Sequence, residues 1–213
     1  GFQHRSLHRD IDLVLLDATD AAGLDALLPA GRLREPLTGL DRASAVMITR
    51  ADSRQDVEAI HSRLRVVVCP SEDAIEVVFR PESFMAVVSG GQQSVGWGRK
   101  KKAWLVSGIG NSHSFRRSAE SIGIEILGET AFEDHHRYSD DEIRQIRATV
   151  QANGSEMVLT TEKDGGKLSP FLQPSDPWWM LRLGTEVVRG KDQLQRLIEG
   201  PSSDGRQRLG ARA

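Results

Sequence analysis

Short apolar runs recur along the chain, and several of the stretches between them place apolar residues three or four positions apart, the period of an amphipathic helix. The runs predict strands over 12–17, 45–49, 66–69, 75–79, 103–107, 124–127, 157–159 and 180–183. Three helices are marked between them. One over 53–65 opens on a serine and carries Val57, Ile60 and Leu64 on one face. A second, over 112–122, follows the turn Gly108-Ile109-Gly110-Asn111 and stops at Gly123. The third, over 139–153, is the best bounded: Ser139 and Glu142 spell a capping box, Ile143, Ile146 and Val150 share a face, and Gly154 ends it. Strands alternating with helices predict β-α-β units, and hence an α/β fold on a largely parallel sheet.

Residues 75–102 break that rhythm. Ala74-Ile75-Glu76-Val77-Val78-Phe79-Arg80-Pro81 alternates, and Gly90-Gly91 and Gly96-Trp97-Gly98 interrupt the residues after it. A β-rich linker is expected over 74–102, joining a first lobe, 1–73, to a second α/β lobe, 103–200, with a boundary near Lys100. Residues 201–213 are Ser, Gly, Arg and Asp with almost nothing to bury, which predicts a disordered tail. The chain begins with Gly and runs at once into a polar motif and a strand, as a piece cut inside a larger domain would.

Composition narrows the function more than the fold. At 213 residues, 38% hydrophobic and 27% charged, the chain can bury a core as one domain or two small ones. A formal net charge of −2 lacks the basic excess of a general nucleic-acid binder, so an anionic partner would have to meet a local cluster of cations. The lone cysteine, Cys69, can form no internal disulfide and lies in an apolar run, which fits a buried thiol in a reducing compartment. No apolar run approaches the ~20 residues that cross a bilayer.

Four polar islands sit beside predicted strands, where an open α/β sheet presents its reactive side chains. Asp134-His135-His136 precedes the capped helix; an imidazole beside a carboxylate is the pair a general base needs, although an Asp that merely caps a turn gives the same sequence. Adjacent histidines point to different sides, so only one of them can serve a given atom, and no Cys or His cluster at metal spacing accompanies them. Leu159-Thr160-Thr161-Glu162-Lys163-Asp164 crowds hydroxyls, carboxylates and an ammonium after a strand, as a site would and as an ordinary helix start also would. Leu28-Pro29-Ala30-Gly31-Arg32-Leu33-Arg34-Glu35-Pro36 holds two guanidiniums on a bounded turn, either a phosphate clamp or a solvated loop with its arginine paired to Glu35. The fourth island is Gly1-Phe2-Gln3-His4-Arg5. Arg99-Lys100-Lys101-Lys102 is a further basic run, a solvated strand entrance or a contact for anionic lipid headgroups.

In this order the islands resemble the tetraacyldisaccharide 4'-kinase family, the lipid A 4'-kinases of Gram-negative bacteria. Gly1 to Arg5 with Leu7, Arg9 and Asp10 looks like the segment after that family's Asp-Asp pair, and Leu28 to Pro36 like its Leu-Pro-Ala-Gly-x-Leu-Arg-Glu-Pro loop. Ser107 to Asn111, Phe132-Glu133-Asp134-His135 and Leu159 to Asp164 look like its Gly-Ile-Gly-Asn turn, Phe-x-Asp-His and Thr-Glu-Lys-Asp box. The resemblance implies a P-loop-kinase-like α/β/α sandwich in which 1–73 is the C-terminal part of the kinase domain and 103–200 carries the catalytic-base loop. It implies phosphoryl transfer from ATP, with Mg2+, to the 4'-hydroxyl of a tetraacyl glucosamine disaccharide 1-phosphate, by a peripheral protein at the cytoplasmic face of the inner membrane.

It further implies His135, with Asp134, as the catalytic pair, the histidine being held by an Asp upstream of Gly1. Gln3, His4 and Arg34 would bind phosphate groups of substrate or nucleotide, and Thr161, Glu162, Lys163 and Asp164 would be active-site neighbours. The family's Gly-x-x-x-x-Gly-Lys-Ser/Thr loop and Asp-Asp pair are expected upstream, so no metal ligand is assigned within the chain, and the piece alone is expected to be inactive. Two other readings of the islands are a manganese phosphoesterase of the Asp-His-His type and a non-catalytic α/β binding module.

Overall fold

The computed structural model describes residues 2–4, 6, 8–65 and 74–200, and divides into two compact units. The strand expected over 66–69, with Cys69, and the tail from Pro201 lie outside the described residues. One unit comprises Gly1–Phe79 and Thr185–Ala213, the other Arg80–Gly184.

In the first unit β1 (Leu13–Asp17), β2 (Ala45–Thr49) and the start of β3 (Ile75–Ala86) pair in parallel, with Leu13 opposite Ala45 and Met47 opposite Ile75. Helices lie on both faces, which is why β1 and β2 read as unbroken apolar runs, although Leu15 stays 59% exposed. Val14, Leu16, Val46 and Ile48 pack against Val57, Ile60 and Leu64 of α1 (Arg54–Leu64), whose first turn is capped by Ser53. Leu13, Ala45, Met47, Ile75 and Val77 pack on the opposite side with Leu194 and Leu197 of a second helix, Lys191–Glu199. Alternate residues of one strand thus serve two helices, as the two-residue strand period requires.

The second unit repeats the plan. Strands β5 (Lys102–Ser107), β6 (Glu125–Ala131), β7 (Met157–Thr161) and the start of β8 (Trp178–Arg189) run parallel in the order β6-β5-β7-β8. Ala103, Leu105 and Leu159 face Phe115, Ala119 and Ile122 of α2 (Ser112–Ile122), while Trp104, Val106 and Val158 face Ile143, Ile146 and Val150 of α3 (Asp140–Asn153). Each such aliphatic side chain gains about 1.5–3 kcal/mol on leaving water. The end of β3 turns back on the short β4 (Gln92–Ser94) in an antiparallel hairpin. Each unit therefore has the expected α/β class, with mostly parallel sheet between helices.

Element limits follow the expectations where a cap sets them and depart where packing does. The capping box of Ser139 and Glu142 is formed, and Gly123 and Gly154 end their helices in the left-handed region at φ 86° and 74°. Strand β6 continues to Ala131 because Gly128, Glu129 and Thr130 pair with β5 and the Trp104 indole N–H donates to Thr130 Oγ1 at 2.9 Å. The helix start that is one reading of the box after β7 is formed: α4 (Glu162–Leu168) is capped by Thr161 and runs on through Gly165-Gly166, where Gly165 is buried and a side chain would collide with Met180. The helix after β8, Lys191–Glu199, is α5 and is absent from the sequence reading.

Candidate active site

Because β5, β6 and β7 are parallel neighbours, the loops that leave their carboxyl ends meet. The first, Gly108 to Asn111, ends where Asn111 caps α2 by accepting the Ser114 N–H at 2.9 Å. The second, residues 132–138, starts as the Phe132 N–H donates to the Ser107 carbonyl at 2.8 Å. The third is the step from β7 into α4, where Thr161 Oγ1 accepts the Asp164 N–H at 3.2 Å and caps the helix.

Gly108 lies at the junction of the three. Its N–H donates to Asp164 Oδ2 at 2.9 Å, and its carbonyl accepts the His135 N–H at 3.3 Å. A Cβ on Gly108 would stand 3.1 Å from Tyr138 Oη and 3.2 Å from both Asp164 Oδ1 and His136 Cβ, so only glycine fits without displacing a neighbour.

The two histidines separate as adjacent residues must. His136 turns inward: its Nε2 is 3.0 Å from Glu142 Oε1, and its ring stacks on Phe132 at 4.3 Å and 16°. Glu142 also accepts from the Ser139 hydroxyl and N–H, and the hydroxyl bond above all holds its carboxyl below the ordinary range. His135 turns outward with 76% of its side chain exposed and its backbone at φ 64°. That left-handed conformation costs a non-glycine residue about 1–3 kcal/mol and persists only where the surroundings impose it.

Asp134 supplies part of that constraint. Its Oδ1 accepts the Lys163 ammonium at 2.6 Å and the His135 N–H at 3.0 Å. The Lys163 bond is the main reason its carboxyl sits below the ordinary range, opposed by desolvation and supported by the charges of His135 and Lys163. The His135 Nε2 is 3.7 Å from Asp134 Oδ2, an electrostatic distance too long for a hydrogen bond. Asp134 thus fixes the turn through the backbone and leaves the imidazole open.

The box after β7 is divided in purpose. Glu162 pairs with Arg182 at 3.0 Å on the surface, and Lys163 reaches Asp134. Asp164 is fully buried; its Oδ2 accepts from Thr161 Oγ1 at 2.8 Å and from Gly108, and Lys167 Nζ lies 3.6 Å from its Oδ1. Beside it Tyr138 is buried, and burial, followed by the Asp164 charge, pushes its phenol well up.

Gln3, His4 and Arg34 belong to the first unit, the other six expected site residues to the second. Gln3 and His4 are exposed, and Arg9 donates to the carbonyls of His4 at 2.9 Å and Phe2 at 3.4 Å. The Arg34 loop is tied to itself, with the Leu28 N–H on the Leu33 carbonyl at 2.8 Å and the Gly31 N–H on that of Leu27 at 2.9 Å. Arg32 pairs with Asp20, while Glu35 binds Arg42 at 2.9 and 3.0 Å instead of its neighbour Arg34. Arg34 is exposed and forms no ion pair among the described residues. Arg42 also lies over the Phe2 ring at 4.7 Å, linking the segment of Gln3 and His4 to the Arg34 loop.

Arg42, on Phe2 and Glu35, and Tyr138, beside Gly108, also lie against these islands, and no local pattern in the sequence marks either. Among the described residues no group of three or more His, Cys, Asp or Glu is placed to hold a metal ion.

Residues 1–201 match the family model described as LpxK, tetraacyldisaccharide-1-P 4'-kinase. The tetraacyldisaccharide 4'-kinase of Anaeromyxobacter sp. (strain Fw109-5) is 34% identical over 96% of this chain and 55% of its own length. That of Syntrophus aciditrophicus (strain SB) is 33% identical over 96% and 56%. A crystal structure of LpxK from Aquifex aeolicus, described as an "apo" form in complex with ATP, superposes with a TM-score of 0.61 at 29% identity, over 93% of this chain and 55% of that one. The chain spans about half the length of the curated relatives it matches.

Proposed function

The chain belongs to the tetraacyldisaccharide-1-P 4'-kinase family, and from that premise we propose that the protein transfers the γ-phosphoryl group of ATP to the 4'-hydroxyl of a tetraacyl glucosamine disaccharide 1-phosphate. The product is a bisphosphorylated lipid A precursor. Mg2+ would accompany the ATP and neutralise part of its phosphate charge. The protein works peripherally at the cytoplasmic face of the inner membrane; among the described residues no helix is long and apolar enough to cross a bilayer.

The observation that carries the reading is the contrast between two adjacent imidazoles: His136 is tied to Glu142, and His135 is left exposed on a turn fixed at φ 64°. In the transfer, His135 takes the 4'-hydroxyl proton as the sugar oxygen bonds to the γ-phosphorus, and the bond from that phosphorus to the β,γ-bridging oxygen breaks to release ADP. Arg34 holds phosphate oxygens in bidentate fashion, with Gln3 and His4 as further donors. Such chemistry asks the protein chiefly for positioning and charge neutralisation.

The test is transfer itself. Full-length protein incubated with γ-labelled ATP and the disaccharide 1-phosphate should yield a labelled bisphosphate whose new phosphate maps to the 4'-oxygen. Absence of that product, or metal-dependent hydrolysis of a phosphoester in its place, would overturn the reading.

A further inference from the structure

Two tethers run side by side from the start of α4 to the turn that carries His135. One is a side-chain bond, Lys163 Nζ to Asp134 Oδ1 at 2.6 Å. The other passes through a single peptide: Asp164 Oδ2 holds the Gly108 N–H at 2.9 Å, and the Gly108 carbonyl holds the His135 N–H at 3.3 Å. Consecutive residues, Lys163 and Asp164, therefore grip consecutive residues, Asp134 and His135.

Capping α4 does not require this arrangement. Thr161 already supplies the cap through its hydroxyl, and a neutral residue at 164 would leave the helix start intact. A carboxylate with no exposure to water is costly unless its bonds are well made, and Asp164 has two on one oxygen and the Lys167 ammonium 3.6 Å from the other. What the buried charge secures is the Gly108 amide, at a position where an added Cβ would stand 3.1–3.2 Å from Tyr138, Asp164 and His136.

We propose that Asp164 is a positioning residue for the phosphoryl transfer: through the Gly108 peptide it holds His135 in the left-handed turn that aims the imidazole at the sugar hydroxyl, with Lys163 as the parallel support. The proposal rests on the reading of His135 as the proton acceptor. Asp164 touches no reacting atom; its effect is on geometry, and a small misplacement of a base is enough to slow a transfer step severely.

The experiment compares Asp164→Ala, Asp164→Asn, Lys163→Met and His135→Gln in the full-length protein, by steady-state kinetics and by the ring signals of labelled histidine, His135 being assigned from its loss in His135→Gln. Asp164→Ala should lower kcat on the order of 100-fold, leave the KM for ATP within about twofold, and move the His135 ring signals. Asp164→Asn, which keeps an acceptor for Gly108, should restore a large part of kcat.

If Asp164→Ala fails to fold, Asp164→Asn and Lys163→Met carry the test, each with a smaller loss of kcat and a shifted His135 signal. A folded Asp164→Ala with unchanged kcat and an unmoved His135 signal would overturn the proposal. If His135→Gln retains full activity, the proton-acceptor reading falls, and the movement of the His135 signal in Asp164→Ala still decides whether the tether exists.

Discussion

The turn of His135 and the loop of Arg34 are built on opposite plans. Residues 132–138 make few bonds to themselves and are gripped by neighbouring loops, through Gly108, Lys163 and the edge of α3. The 28–36 loop is held by backbone bonds within its own neighbourhood, Leu28 to Leu33, Gly31 to Leu27, Arg32 to Gly23 and Leu33 to Ala26, with Glu35 on Arg42 and Arg32 on Asp20 as side-chain support. A group that must meet one hydroxyl along one direction needs an imposed geometry. A guanidinium that neutralises phosphate can reach its target on a flexible stem from a firm base. Under the proposed roles, the imposed geometry belongs to the residue that would take a proton and the flexible stem to the one that would hold phosphate.

Substitutions that separate these plans should differ in size and in kind. The largest effect is expected for His135→Ala, a loss of about 10²–10⁴ in kcat, the usual contribution of a placed acid or base, with little change in the KM for ATP. Equal loss in kcat and KM terms would erase the distinction. Arg34→Ala should cost about 10–100-fold in kcat/KM, the worth of a charge-assisted bond of about 1.5–3 kcal/mol, expressed mainly in KM for the phosphate-bearing reactant. Arg34→Lys should recover only part, because an ammonium lacks the planar fork.

The smallest effect is expected for Lys163→Met on stability, and it should depend on pH. The Asp134 carboxyl is held below its ordinary value of 3.8, chiefly by the Lys163 bond. A lowered folded-state value means that the pair stabilises the fold above the ordinary value and loses that contribution as pH falls through the folded one. Thermal midpoints of the wild type and Lys163→Met should differ most near neutrality and converge in acid below 3.8. The gap should also narrow with salt, since the pair is exposed. A gap independent of pH would mean that Lys163 acts by packing alone.

Much of the scaffold was legible because it is local. The Ser139 and Glu142 box, Asn111 ahead of α2, and Gly123 and Gly154 after α2 and α3 are signals within a few residues, and they bound those elements closely. Apolar runs marked where the strands lie, yet β3 runs on to Ala86 past Pro81, paired at Ser83 to Met85 with β4. Pairing between strands, not the sequence of one strand, sets such ends. The start of α4 was legible in Thr161 and Glu162, but its continuation through Gly165-Gly166 was not, since it depends on the close approach of Met180.

The candidate site was legible as islands at strand ends, and the opposite facing of His135 and His136 follows from adjacency alone. What could not be read was how the Thr-Glu-Lys-Asp box divides. Asp164 turns inward to Gly108, 56 residues away, and Lys163 outward to Asp134, 29 residues away. No periodicity encodes those separations; they arise because β5, β6 and β7 are neighbours in the sheet. Arg42, shared between Phe2 and Glu35, escaped for the same reason.

The central claim, that the exposed imidazole receives the hydroxyl proton, is tested most directly by kcat/KM for the disaccharide in the wild type and in His135→Gln. His135→Gln should be slower than the wild type by about 10²–10⁴. A His135→Gln enzyme that kept the wild-type rate would contradict the account.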